Sequence, residues 1–268
     1  MAEQQVAAPP RQFQVNRTSF TRHYDVSSTD GQQAFYIDIS SFTPSKPDLT
    51  VHEGKTSGGN VVAVAHMPKF SGDFKIGLGD PSGRAGDGGG AGGGAGGLAA
   101  TRWEDMTKEN LRHSEHRWAM TLGAGNDDGG GRRGQTRREF AWKRTRKVGA
   151  DGASVSSLSG RNLKLVEVGH GGGRGAEEDG GKVLAVFTSE RGFSSCGVLQ
   201  INAQLGRDFD VMVVTTCVAL YEKARRRRHR RRSWGAVSRP RWSQREATTV
   251  SATSGGASSS SWATTPAR

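Results

Sequence analysis

The chain has 268 residues, of which 33% are apolar and 39 are glycine, with a formal net charge of +12. So little apolar material excludes a core running the whole length and predicts one ordered domain broken by flexible insertions. Eleven cations and no acid lie between Lys223 and Arg245, which leaves +1 for everything else, so the basicity is a local handle rather than the property of a basic domain.

In chain order, residues 1–30 are polar and are expected to be a disordered N-terminal segment. Met1 to Arg11 holds no apolar run, so no secretory leader is expected. Period-two alternation then begins. Phe35, Ile37 and Ile39 alternate with more polar neighbours, and Leu49 to His52 follows a proline-bounded turn. Val61 to Met67 is β-branched and alanine-rich, and Phe74, Ile76 and Leu78 alternate again. Further strands are predicted at Thr101 to Asp105, Arg117 to Leu122, Phe140 to Lys143, Leu163 to Leu165, Val183 to Phe187 and Cys196 to Ile201. Glycine-rich inserts at 83–97, 123–134 and 169–181 read as long loops between strands.

A different pattern follows Asp208. Phe209 and Val211 to Leu220 offer no polar face at a helical period, and a helix apolar all round must be buried on every side. Asp208 can cap such a helix, Asp210 sits in its first turn, and arginines crowd its other end, all favourable to the helix dipole. A strand over Val211 to Val218 is the alternative, since valine and threonine are mediocre helix formers. The buried run spans about 20 Å as a helix, which matches strands of about 17–23 Å. The expected fold is therefore mainly β: a closed antiparallel barrel of about 10–12 strands wrapped around a central hydrophobic C-terminal α-helix. The barrel is expected over 31–232, with its helix at 209–224 running into the arginine block, and 233–268 as a disordered tail of low complexity.

Local phrases carry a resemblance. Tyr36-Ile37-Asp38-Ile39-Ser40-Ser41-Phe42, Val62-Ala63-Val64-Ala65-His66-Met67-Pro68, Trp103-Glu104-Asp105-Met106, Phe140-Ala141-Trp142-Lys143-Arg144-Thr145 and Gly206-Arg207-Asp208-Phe209-Asp210 resemble fungal members of the tubby C-terminal-like superfamily. That superfamily includes the LURP-one-related proteins and the phospholipid scramblases. The resemblance spans roughly residues 30–230 and implies an antiparallel barrel of about twelve strands around one hydrophobic helix. It also implies a basic barrel surface that takes phosphoinositide headgroups, although a shared fold does not carry activity with it.

Motifs for other chemistry are incomplete. Gly54-Lys55-Thr56 ends like a phosphate-binding loop, but Leu49 stands where its first glycine belongs. Gly180-Gly181-Lys182 lacks the following hydroxyl, and Pro81 interrupts the glycine turn at Gly77 to Gly83. His113 and His116 share helical spacing without a third metal ligand nearby and read as a solvated polar loop. Cys196, with His66 or His170 as a base, lies in an apolar stretch with nothing to activate the thiol. Both Cys196 and Cys217 read as small buried hydrophobes. Glu177, Glu178 and Asp179 sit in glycine-rich sequence that holds no fixed geometry, and Asp208 with Asp210 supplies too few oxygens for calcium. No catalytic residue, metal or cofactor is expected.

Two basic segments remain. Lys143, Arg144, Arg146 and Lys147 follow Trp142 at a strand end, where all four can reach one anionic headgroup; they are the candidate lipid-binding residues. Arg225, Arg226, Arg227, Arg228, Arg230, Arg231 and Arg232 form a polybasic block suited to anionic lipid or to nucleic acid and nuclear import. The expected function is non-enzymatic, peripheral binding of anionic phospholipid or an adaptor role. The alternatives are a nuclear or RNA-associated factor and, last, a scramblase-like activity. The expected location is intracellular, cytoplasmic or at a membrane surface, with the nucleus as alternative.

Overall fold

A computed structural model describes residues 9–17, 20–40, 43, 46–82, 101–110, 114–122, 136–153, 155, 161–169, 182–190, 192 and 194–237. The chain divides into two units, Met1–Arg225 and Arg226–Arg268. The first holds twelve strands: β1 Arg11–Asn16, β2 His23–Ser28, β3 Gln33–Ile39, β4 Leu49–Glu53, β5 Val61–His66 and β6 Phe74–Leu78. They continue with β7 Arg102–Lys108, β8 Glu115–Leu122, β9 Thr136–Arg144, β10 Leu163–Glu167, β11 Val183–Ser189 and β12 Ser195–Ile201. Every strand pairs antiparallel with its chain neighbours, and β12 pairs with β1 to close the barrel.

Two of these strands lie in the N-terminal segment expected to be disordered. Phe13 and Val15 in β1, like Tyr24 and Val26 in β2, alternate with glutamine, asparagine, histidine, aspartate and serine. Val15, Tyr24 and Val26 are buried. Without β1 and β2 the sheet would be left with two open edges, so these polar-looking residues complete the fold.

The pleat sorts side chains. Along β8, His116, Trp118, Met120 and Leu122 face inward and are buried, while Glu115, Arg117, Ala119 and Thr121 are less so. His116 thus belongs to a strand, edge-on to Phe74, and not to the solvated loop expected for it.

The helix α1 covers Arg207–Val237 and begins earlier and ends later than expected. Gly206, at φ 92°, turns the chain out of β12, and its carbonyl accepts the Asp210 amide; Asp208 lies inside the helix and is not its cap. From Phe209 to Val218 the helix is buried on every side except for partly covered Asp210, with Trp118 and Phe140 against Phe209 and Phe187 against Tyr221. The hydroxyls of Thr215 and Thr216 are satisfied by the Val211 and Met212 carbonyls. Thr216 also accepts a 2.9 Å hydrogen bond from Trp142 Nε1, which fixes the helix against β9. Each wholly buried valine or phenylalanine here contributes about 1.5–3 kcal/mol.

The first part of the connection from β9 to β10, up to Ala153, crosses the outside of the barrel. The Ala150 amide donates to Thr188 Oγ1 on β11, the Asp151 amide to Gln200 Oε1 on β12, and Gln12 of β1 donates to the Asp151 carbonyl. This strap covers the seam where β1 meets β12. The inserts at 83–97 and 123–134, that at 169–181 apart from Gly169, and residues 238–268 lie outside the described residues, whereas Ser233 to Val237, expected in the tail, are helical.

Candidate functional site

Up-and-down topology decides which loops share an end. The β1–β2, β3–β4, β5–β6, β7–β8, β9–β10 and β11–β12 connections all fall at one end of the barrel. Since α1 starts after β12 at the other end, it runs toward this one. Three contacts fix its arrival: Tyr24 Oη donates to Glu222 Oε2 at 2.6 Å, Lys223 Nζ to the Asp73 carbonyl at 3.0 Å, and Arg161 to Tyr221 Oη at 3.0 Å. We call this end the exit rim.

Just inside the rim lies a buried polar cluster. Glu222 is fully buried and takes two hydrogen bonds from Arg225, at 2.7 and 2.9 Å, beside that from Tyr24. Desolvation and the Glu222 charge push the Tyr24 phenol up, and the bonds to Glu222 raise Arg225 above its already high value. Burial pushes Tyr221 up to about 12 and holds the Cys196 and Cys217 thiols above their ordinary range, so both cysteines stay protonated. The cluster clamps the helix end. It also removes Arg225 from the polybasic block, because its guanidinium is committed to Glu222.

The other sequence-predicted residues divide between the two units. Lys143, Arg144, Arg146 and Lys147 lie on the exit rim, where β9 ends and the strap begins. Thr145 Oγ1 accepts the Lys147 and Val148 amides, which holds the turn. Arg144, Arg146 and Lys147 are exposed; Lys143 is half-buried and 3.8 Å from Glu115. Arg226, Arg227, Arg228 and Arg230 lie on α1 in the second unit, and the side chains of Arg231 and Arg232 are outside the described residues. His113, His170, Glu177, Glu178 and Asp179 are also outside them.

Further rim residues were not legible in the sequence. Arg17, Phe20 and Arg22 occupy the β1–β2 connection, inside the segment expected to be disordered, and Phe70 occupies the β5–β6 connection. Arg17 lies over the Tyr24 ring and its Nε is buried without a hydrogen-bond partner. The only available signal was the Phe13/Val15 and Tyr24/Val26 alternation, which would have placed this connection in a hairpin.

At the opposite end the described arginines are ion-paired, although Lys55 and Lys182 are exposed there without a carboxylate partner among the described residues. Arg207 pairs with Glu53 at 2.6 Å, Arg11 with Asp210 at 2.9 Å, Arg137 with Glu104 at 2.7 Å and Arg102 with Asp208 at 3.6 Å, and Arg138 pairs with Glu167. At the exit rim, Arg17, Arg22, Arg144 and Arg146 have no carboxylate partner among the described residues. A cleft of about 330 Å³ at that opposite end, walled by Val61, Val62, Leu78 and Val211, also holds Arg207, paired with Glu53, and Arg102, which is 3.6 Å from Asp208 with Nε and Nη2 buried without a hydrogen-bond partner.

Among the described residues no group of histidine, cysteine and carboxylate side chains could hold a metal ion, and no helix is long and apolar enough to cross a membrane. Compared with protein families, curated proteins and solved structures, the chain matches none.

Proposed function

We propose that this protein is a tubby-like, non-enzymatic peripheral membrane protein that binds anionic phospholipid headgroups, phosphoinositides among them, at the exit rim. One observation carries the reading: four arginines without carboxylate partners among the described residues, Arg17, Arg22, Arg144 and Arg146, gather at one end of the barrel, while the described arginines of the other end are ion-paired. A phosphate group supplies the acceptor oxygens that Arg144 and Arg146 lack, and arginine meets phosphate with paired, charge-assisted hydrogen bonds. Lys147, next along the held turn, adds to the same field, and each basic residue near an anionic membrane contributes about 1 kcal/mol. The arginines from Arg226 onward, in the second unit, are a separate basic segment suited to the same anionic lipid. The closed barrel around one helix is the architecture that the tubby resemblance implies.

Co-sedimentation with phosphoinositide-containing liposomes at physiological salt tests the proposal. The chain ending at Arg225, which keeps the partner of Glu222, should still pellet. Changing Lys143, Arg144, Arg146 and Lys147 together to glutamine should weaken binding about a hundredfold. Binding that needs the residues after Arg225 and is competed away by RNA would replace this reading with nucleic-acid association.

A further inference from the structure

Phe20 and Phe70 stand on the exit rim with their side chains almost wholly in solvent, at 94% and 99% exposure. A phenylalanine carries roughly 150–250 Å² of surface that water solvates poorly. Among the described residues a third large apolar side chain is exposed, Trp103 at 38%, and it has a structural use. Its ring lies over Gly77 on the neighbouring strand, where an added Cβ would come within 3.0 Å of it, and Lys75 sits 5.4 Å above it. No such contact accounts for the two phenylalanines.

Their positions are informative together. Around the rim, the β1–β2 and β5–β6 connections flank the β3–β4 connection, so the two rings stand on connections that are not neighbours. A protein partner recognises a continuous, shape-matched surface. A fluid bilayer needs no matching surface and accepts isolated wedges at its interface. Each ring is also beside cations: Arg17 and Arg22 bracket Phe20, Lys69 precedes Phe70, and exposed Lys46 lies on the connection between them. Aromatic points beside such cations match an anionic membrane, where charge attracts the rim and buried apolar area holds it.

We infer that Phe20 and Phe70 are membrane-inserting wedges, which enter the interfacial region of an anionic bilayer as the rim cations meet its headgroups. This rests on the lipid-binding reading of the rim but makes a separate claim, because removing the rings leaves every charge in place. Burying each ring should strengthen binding about tenfold or more.

The experiment uses the full chain and vesicles of phosphatidylcholine with phosphatidylserine and a phosphoinositide. F20S/F70S should bind about a hundredfold more weakly than the parent, with the salt dependence of binding unchanged. An environment-sensitive fluorophore on F20C or F70C should shift to the blue on binding and be quenched by brominated acyl chains. The same label on S57C, in the β4–β5 connection at the opposite end, should not respond. Cys196 and Cys217 are buried, so labelling falls on the introduced thiol. If the parent binds but the rings contribute less than about twofold and neither rim label responds, the wedge is wrong and the headgroup reading stands. If the parent ignores vesicles, both fall. A self-association lost in F20S/F70S while vesicle binding persists would assign the rings to a second copy of the chain and overturn the inference.

Discussion

The two ends of this barrel are built from the same residue types and use them in opposite ways. Where α1 begins, arginines and carboxylates meet in pairs, among them Arg207 with Glu53 and Arg102 with Asp208. Where the enclosed part of α1 ends, the ion pair of Glu222 with Arg225 is drawn inward, and Arg22, Arg144 and Arg146 on the same rim are exposed without carboxylate partners among the described residues. Half-exposed pairs of the first kind contribute little to stability, because water and salt screen them. A buried pair of the second kind neither adds much nor can be broken cheaply, since either partner alone is an uncompensated charge. Net charge therefore says less about a protein's partners than does the question of which charges are already satisfied.

The largest expected effect lies in the interior that both ends share. Val214→Asp places an unpaired carboxylate where the parent residue is fully buried; it should cost about 4 kcal/mol or more and abolish the cooperative thermal transition. A melt like that of the parent would show that the strands do not enclose the helix. Next comes a direct contrast of the ends. Arg225→Ala strands Glu222 and should destabilise by about 3 kcal/mol, whereas Arg207→Ala removes a pair between well-exposed side chains and should cost about 0–1 kcal/mol by denaturant unfolding. Equal losses would erase the distinction between a clamp and a screened surface pair.

The last effect is a matter of pH. Burial raises Asp210 from 3.8 to about 6, against the opposing pull of Arg11. A carboxyl raised in the folded state lends its full stability below the unfolded value and loses it as pH rises through the folded one. Relative to the parent, Asp210→Asn should therefore gain stability between pH 4 and pH 7. Melting curves showing the reverse slope would mean that the Arg11 pair outweighs burial at this position.

Much of the barrel was legible before any coordinates. Phe35 to Ile39, Phe74 to Leu78 and Trp118 to Leu122 alternate because one face of each is buried, and an apolar stretch such as Val211 to Leu220 admits few placements. Lys143 to Lys147 stood out as a cationic run. The strands β1 and β2 did not, because glutamine and asparagine on the outer face of β1, and histidine, aspartate and serine on that of β2, dilute a pattern of only two apolar positions each.

Local periodicity and composition by themselves determined the class of fold, the enclosed helix and the place of the charge along the chain, since burial imposes its period on neighbouring residues. Only the tertiary structure decided which charges remain unpaired and which loops share a rim. Glu53 meets Arg207, and Tyr24 meets Glu222, across more than a hundred residues of chain. No local pattern records such pairings, because they arise from closing the barrel and threading the helix through it.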